Sequence, residues 1–261
     1  MTTPEVFVVR DRELLLEAVA ARLVTVLVDR VAASGTARLL LADDTLVTDV
    51  LTLVSQQRVR DAVDWSRIEV WWANATWQSP VGASRSVTAA ARSLLDLGVP
   101  DDRIHPMVSD TTSFSAIERT SADQNPEDSA QRYAQALSAA RSPSEHGQVP
   151  AFTLALLTVG ADGGVAGLHP ERPSAYANES VTVDRTTSQL SLSAQALSTA
   201  DQVWLLGEGD EVAAGVHLAA SGAGPLQVPA AGVRGTARTL MLVDESAAAR
   251  LPHALRRIAS P

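Results

Sequence analysis

Short apolar runs rich in Val and Leu recur along the chain, and each is followed by a segment whose apolar residues fall at helical spacing. A strand that is apolar at nearly every position needs cover on both faces, and the intervening segments supply it. The alternation therefore predicts an α/β fold with a mostly parallel sheet flanked by helices. Strands are expected at Val6–Val9, Arg38–Leu41, Ile68–Trp72, Phe152–Val159, Gln202–Leu206 and Thr239–Val243. Helices are expected at Arg12–Ala33, Thr45–Ser55, Ser84–Leu97, Pro126–Ala140, Glu211–Ala220 and Asp244–Leu251. The fourth helix has the clearest entry signal: Asn125 can cap it, Pro126 suits its first position, and Glu127 and Asp128 complement its dipole. The polar stretches Ser109–Gln124 and Arg141–Val149 read as surface loops, no period repeats, and residues 1–261 read as one domain.

Composition narrows the chemistry. With 46% apolar and 20% charged residues, a chain of 261 residues can bury a large core. Its net charge of −9 argues against partners that need a positive field, so neither nucleic acid nor an anionic membrane surface is expected. All 21 basic residues are Arg, which excludes Schiff-base and lysine general-base mechanisms. The absence of Cys excludes disulfides and thiolate chemistry, and the five histidines lack metal-ligand spacing, so no metal and no cofactor are expected. The N-terminus lacks signal-peptide order and no apolar run nears the roughly 20 residues of a membrane span, so the expected location is the cytoplasm.

Ligands of open parallel sheets bind beyond the carboxyl ends of the strands. After Arg38–Leu41 stands Ala42-Asp43-Asp44-Thr45, where a phosphate-binding turn would want glycines. Asp44 reads as an N-cap and Asp43 as a partner of the first-turn dipole, with cation or sugar-hydroxyl binding as the alternative. After Ile68–Trp72 nothing titrates near neutral pH, and Trp71, Trp72 and Trp77 read as core packing more readily than as a sugar-stacking wall. The third strand end is Gly160-Ala161-Asp162-Gly163-Gly164, leading to His169-Pro170. It reads as a tight turn whose backbone could line an oxyanion, with Asp162 its one charge; His169 reads as structural.

These stretches together resemble the 6-phosphogluconolactonase family, within the sugar-phosphate isomerases of glucosamine-6-phosphate deaminase type. The likeness rests on Val63-Asp64-Trp65-Ser66-Arg67-Ile68 running into Val70-Trp71-Trp72, on Arg103-Ile104-His105-Pro106-Met107, and on Gly160-Ala161-Asp162-Gly163. It continues through Val203-Trp204-Leu205-Leu206, Val228-Pro229-Ala230-Ala231-Gly232-Val233 and Leu242-Val243-Asp244. It implies a Rossmann-like sheet, a cleft at its carboxyl edge, and lactone hydrolysis in the pentose phosphate pathway.

The working motifs implied by that resemblance are altered here. The Gly-Gly-Ser-Thr turn stands as Ala42-Asp43-Asp44-Thr45, and Gly-Asp-Glu-Arg stands as Ala73-Asn74-Ala75-Thr76. In the Gly-Met-Gly-x-Asp-Gly-His turn the first Gly is Thr158 and the catalytic His is Gly164, while Asp162 and Gly163 remain. The two phosphate-holding cations fall on Gln189 and Val212; Arg85 remains, beside Ser86. Like unit charges about 4 Å apart cost about 4 kcal/mol at an effective dielectric near 20, so Asp43 and Asp44 should turn the cleft against phosphate. The expectation is a catalytically silent relative that binds a protein partner or an unphosphorylated small ligand. The alternative is a 6-phosphogluconolactonase or related sugar-lactone hydrolase working through Asp162 and Arg85. Ligand-contact candidates are Asp43, Asp44, Thr45, Arg85, Gly160, Gly163 and His169.

Overall fold

The computed structural model describes residues 4–77, 84–107, 125–224, 227–255 and 257–258. The expected alternation is present: β1 (Glu5–Val9), α1 (Arg12–Ser34), β2 (Ala37–Leu41), α2 (Thr45–Gln56), β3 (Ile68–Trp72), β4 (Asn74–Thr76), α3 (Arg85–Leu97) and β5 (Ile104–His105). Then come α4 (Pro126–Ala139), β6 (Leu154–Thr158), β7 (Val181–Asp184), β8 (Gln189–Leu192), α5 (Ala194–Leu197), β9 (Gln202–Gly207), α6 (Ala213–Ala220), α7 (Pro229–Gly232), β10 (Arg238–Asp244) and β11 (Arg257–Ile258). Local chemistry sets the boundaries. Asp11, Asp44, Ser84 and Asn125 each accept a backbone N–H at a helix start, and Gly35 and Gly98 close α1 and α3 in the left-handed region.

Eight strands form a sheet in the order β11-β1-β10-β9-β6-β2-β3-β5, and every pairing in it is parallel. Its central strands are apolar throughout; Leu39, Leu40, Leu41, Leu154, Leu156 and Leu205 are fully buried between the helical layers. From β2 the chain moves outward to β3 and β5, whereas from β6 it moves the other way to β9 and β10. The order therefore reverses between β2 and β6, and the crevice beyond their carboxyl ends is where this topology places a ligand.

A second, antiparallel sheet, β4-β8-β7, joins this edge and went unforeseen in the sequence. The expected helix Asp244–Leu251 does not form. Asp244 ends β10, and its carboxylate accepts from Gly209 N at 3.0 Å and Ala247 N at 2.7 Å, so residues 245–250 fold as turns instead. The helix expected from Glu211 begins at Ala213, and the strand expected over 152–159 is confined to Leu154–Thr158. Residues 141–149 lack helix and strand, as expected, and the stretch Ser109–Gln124 lies outside the described residues. No helix of the described residues is long and apolar enough to cross a membrane.

Candidate functional site

At the switch point the residues after β2 and β6 face one another across a cleft of about 190 Å³. Its lining comprises Asp43, Asp44, Asn74, Thr158, Gly160, the stretch from Gly164 to Gly167, His169 and Gln189. A larger hollow of about 610 Å³ lies between α4 and β7, but its lining carries no histidine.

The two aspartates are held by the fold. Asp44 is the N-cap of α2, as expected: one carboxylate oxygen accepts from Leu46 N at 2.8 Å and the other from the Thr158 hydroxyl at 3.1 Å. Asp43 does not serve the first turn of that helix. Its carboxylate accepts from the hydroxyls of Ser84 and Ser86 and from Thr76 N, while its own N–H donates to Asn74 Oδ1 at 3.0 Å. It thus ties β2 to β4 and to the start of α3, a role whose partners lie far away in sequence. Thr45, exposed in the first turn of α2, is not among the cleft-lining residues.

The glycine-rich turn after β6 is closed by its own backbone. Gly160 N donates to Gly164 O at 2.9 Å, Gly163 N to Gly160 O at 3.0 Å, and Gly164 N to Asp162 Oδ1 at 2.8 Å. Those three N–H groups are consequently unavailable to an oxyanion, contrary to the sequence reading of Gly160 and Gly163. Gly163 adopts φ 82°, and further along Ala166 and Gly167 adopt φ 48° and 75°, folding the chain back toward Asp162. That return brings His169 Nδ1 to 2.8 Å from Asp162 Oδ2. An ionised carboxylate only accepts, so Nδ1 carries a proton, and in the neutral imidazole Nε2 is the nitrogen with the free lone pair. The sequence reading of His169 as structural did not foresee its pairing with Asp162.

Gly164 itself has no room for a side chain. A Cβ there would stand 2.6 Å from Leu168 O, 2.9 Å from Asp162 Oδ1 and 3.3 Å from His169 Nδ1. The tightest obstruction is the Leu168 carbonyl, so a side chain at 164 requires the backbone to shift.

The remaining candidates fall elsewhere. Arg85 is exposed at the first position of α3 and does not line the cleft, so it is not brought together with Asp162. Gln189 does line it: its Nε2 donates to Thr76 Oγ1 at 3.0 Å, and its buried Oε1 has no hydrogen-bond partner. Val212 begins α6 with its side chain packed toward Gly207. Trp71 and Trp72 are fully buried and Trp77 packs against the core, as expected. Among the described residues no group of three or more His, Asp or Glu could hold a metal ion.

Three likenesses to known proteins bear on the fold. The family description "Glucosamine-6-phosphate isomerases/6-phosphogluconolactonase" matches residues 10–242. The chain belongs to that family. It is 40% identical over 262 residues to a 6-phosphogluconolactonase of Streptomyces coelicolor, covering 97% of each chain. To a 6-phosphogluconolactonase of Mycobacterium tuberculosis it is 29% identical over 249 residues, covering 93% of this chain and 96% of the relative. A solved 6-phosphogluconolactonase from Trypanosoma brucei shares the fold with a TM-score of 0.74 at 19% identity, over 97% of this chain and all of the other. Family membership accounts for the parallel sheet and the position of the cleft.

Proposed function

We propose that the protein is a sugar-lactone hydrolase of the 6-phosphogluconolactonase family, with Asp162 and His169 in place of a base at position 164. The observation that carries this reading is the 2.8 Å contact between Asp162 Oδ2 and His169 Nδ1 at the mouth of the switch-point cleft. It is supported by relatives named as 6-phosphogluconolactonases over nearly the whole chain.

In this reaction His169 Nε2 accepts a proton from the water that attacks the lactone carbonyl carbon, while Asp162 orients the ring and stabilises the imidazolium. The carbonyl oxygen becomes an oxyanion. The N–H groups of Ala166 and Gly167, which meet no acceptor among the described residues, are the backbone donors the cleft wall offers it. As the tetrahedral intermediate collapses, the C–O bond to the ring oxygen breaks and the imidazolium returns its proton to that oxygen, leaving the open hydroxy acid. The step requires neither metal nor cofactor. Arg85, exposed on α3, has no part in it.

A second reading, a binding scaffold without catalysis, draws on Gly164 and on the loss of cations at Gln189 and Val212. Initial rates of sugar δ-lactone opening, corrected for spontaneous hydrolysis, separate the two. Saturable turnover that rises with protein concentration is the expected result, and its absence for every lactone tested leaves the binding scaffold.

A further inference from the structure

The charge and size of the cleft select among lactones, and this selection rests on the hydrolase reading above. Two carboxylates, Asp43 and Asp44, stand in its lining, and no arginine is among the described residues that form it. Among the described residues neither carboxylate has a cationic partner: Asp43 is satisfied by two serine hydroxyls and the Thr76 N–H, and Asp44 by the Leu46 N–H and the Thr158 hydroxyl. Their charge is therefore left unneutralised by the hydrogen bonds that hold them. Arg12, at the neighbouring end of the sheet, is engaged by Asp49 and Glu208. Since the chain has no lysine, no flexible ammonium can reach in from elsewhere.

The polar groups that remain suit hydroxyls. Gln189 lines the wall, its Nε2 held by Thr76 and its Oε1 buried without a donor. Asn74 and Thr158 complete a rim of hydrogen-bonding groups that carries no positive charge. At about 190 Å³ the cleft also falls below the roughly 300 Å³ at which pockets for larger ligands begin, which suits one small ring.

We infer that the substrate is an uncharged sugar lactone, one without a phosphate group, recognised through its hydroxyls by Gln189, Asn74 and the carboxylates of Asp43 and Asp44. A phosphate monoester carries about −1.5 to −2 charge at neutral pH and would enter a cleft that already bears two negative charges. Hydroxyls, by contrast, donate to those carboxylates.

The test compares glucono-δ-lactone with its 6-phosphate in steady-state hydrolysis at low salt, alongside calorimetric titration with gluconate and 6-phosphogluconate. The expected kcat/KM favours the unphosphorylated lactone at least a hundredfold, and Gln189→Arg shifts that ratio at least tenfold toward the phosphorylated one. Equal turnover, preference for the phosphorylated lactone, or a ratio unmoved in a folded Gln189→Arg variant overturns the inference while leaving the hydrolase reading intact. Turnover of neither lactone rejects the hydrolase reading, and titration then decides the ligand class. Tighter binding of gluconate than of 6-phosphogluconate supports an unphosphorylated ligand, and the reverse order, weakening as salt rises, overturns it.

Discussion

Replacing Gly164 by Ala adds one methyl group at the point where the turn, the Leu168 carbonyl and the Asp162–His169 pair converge. The new Cβ would lie 2.6 Å from Leu168 O, which is about 0.7 Å inside an ordinary C···O approach of about 3.3 Å. Because the obstructing atom is backbone, no rotamer change relieves the overlap, and the segment carrying His169 must move. Overpacking of this kind costs about 1–3 kcal/mol, and in a chain of this size each kcal/mol lowers Tm by about 2–4 °C. The expected drop is therefore about 2–12 °C in a thermal melt. A displacement of this order at a reacting pair costs up to about 10²-fold in rate, so lactone turnover should fall at least tenfold. Gly35→Ala is the control. Its Cβ meets nothing within 4 Å and its φ of 78° limits the cost to the cap, so stability falls by about 1 kcal/mol with turnover unchanged. A Gly164→Ala protein that melts with the wild type and turns over at the wild-type rate would refute the packing argument and the placement of His169 together.

Three further outcomes follow from the surrounding structure. Asp43→Ala leaves the Ser84 and Ser86 hydroxyls and the Thr76 N–H without their acceptor, so urea unfolding should show a loss of about 1–3 kcal/mol. Tyr133→Phe removes the buried hydroxyl that accepts from Trp72 N at 2.8 Å and donates to Trp72 O at 2.9 Å, and a loss of about 1–3 kcal/mol is expected in the same assay. Burial pushes the Glu69 carboxyl up, but hydrogen bonds and charge from His105 and Arg38 outweigh it and hold the group below its ordinary value. A carboxylate held low stabilises the fold above its unfolded value of about 4.3 and loses that contribution as pH falls through the folded one. The stability advantage of wild type over Glu69→Gln should thus be full near neutral pH and vanish in acid; an advantage that persists unchanged in acid would contradict it.

The parallel sheet was legible because its strands are apolar at almost every position and its helices carry caps such as Asp44 and Asn125. β7 and β8 were not, since each is only 4 residues long and mixes Thr, Ser, Asp and Gln into its run. Asp244 looked like a helix start, yet its carboxylate serves both Gly209 and Ala247 and fixes a turn. At the site, sequence located the cleft and its carboxylates but assigned Asp43 the wrong partner, because Thr76, Ser84 and Ser86 reach it only through tertiary folding. The Asp162–His169 contact was hidden for a related reason. A single His before Pro carries little signal, and its pairing with Asp162 depends on a chain reversal through Ala166 and Gly167 at positive φ. The usable clue was an acid within the glycine-rich turn and a histidine five positions beyond Gly164.

The central claim is that Asp162 and His169 act as one unit, and a double-mutant cycle on lactone hydrolysis tests it most directly. His169→Ala should lower kcat by about 10²–10⁴, the usual worth of general-base assistance. Asp162→Asn should lower it by no more than that, and the double variant should be no slower than His169→Ala alone, because groups acting together fail together. A His169→Ala protein with wild-type kcat, or losses that multiply in the double variant, would contradict the account.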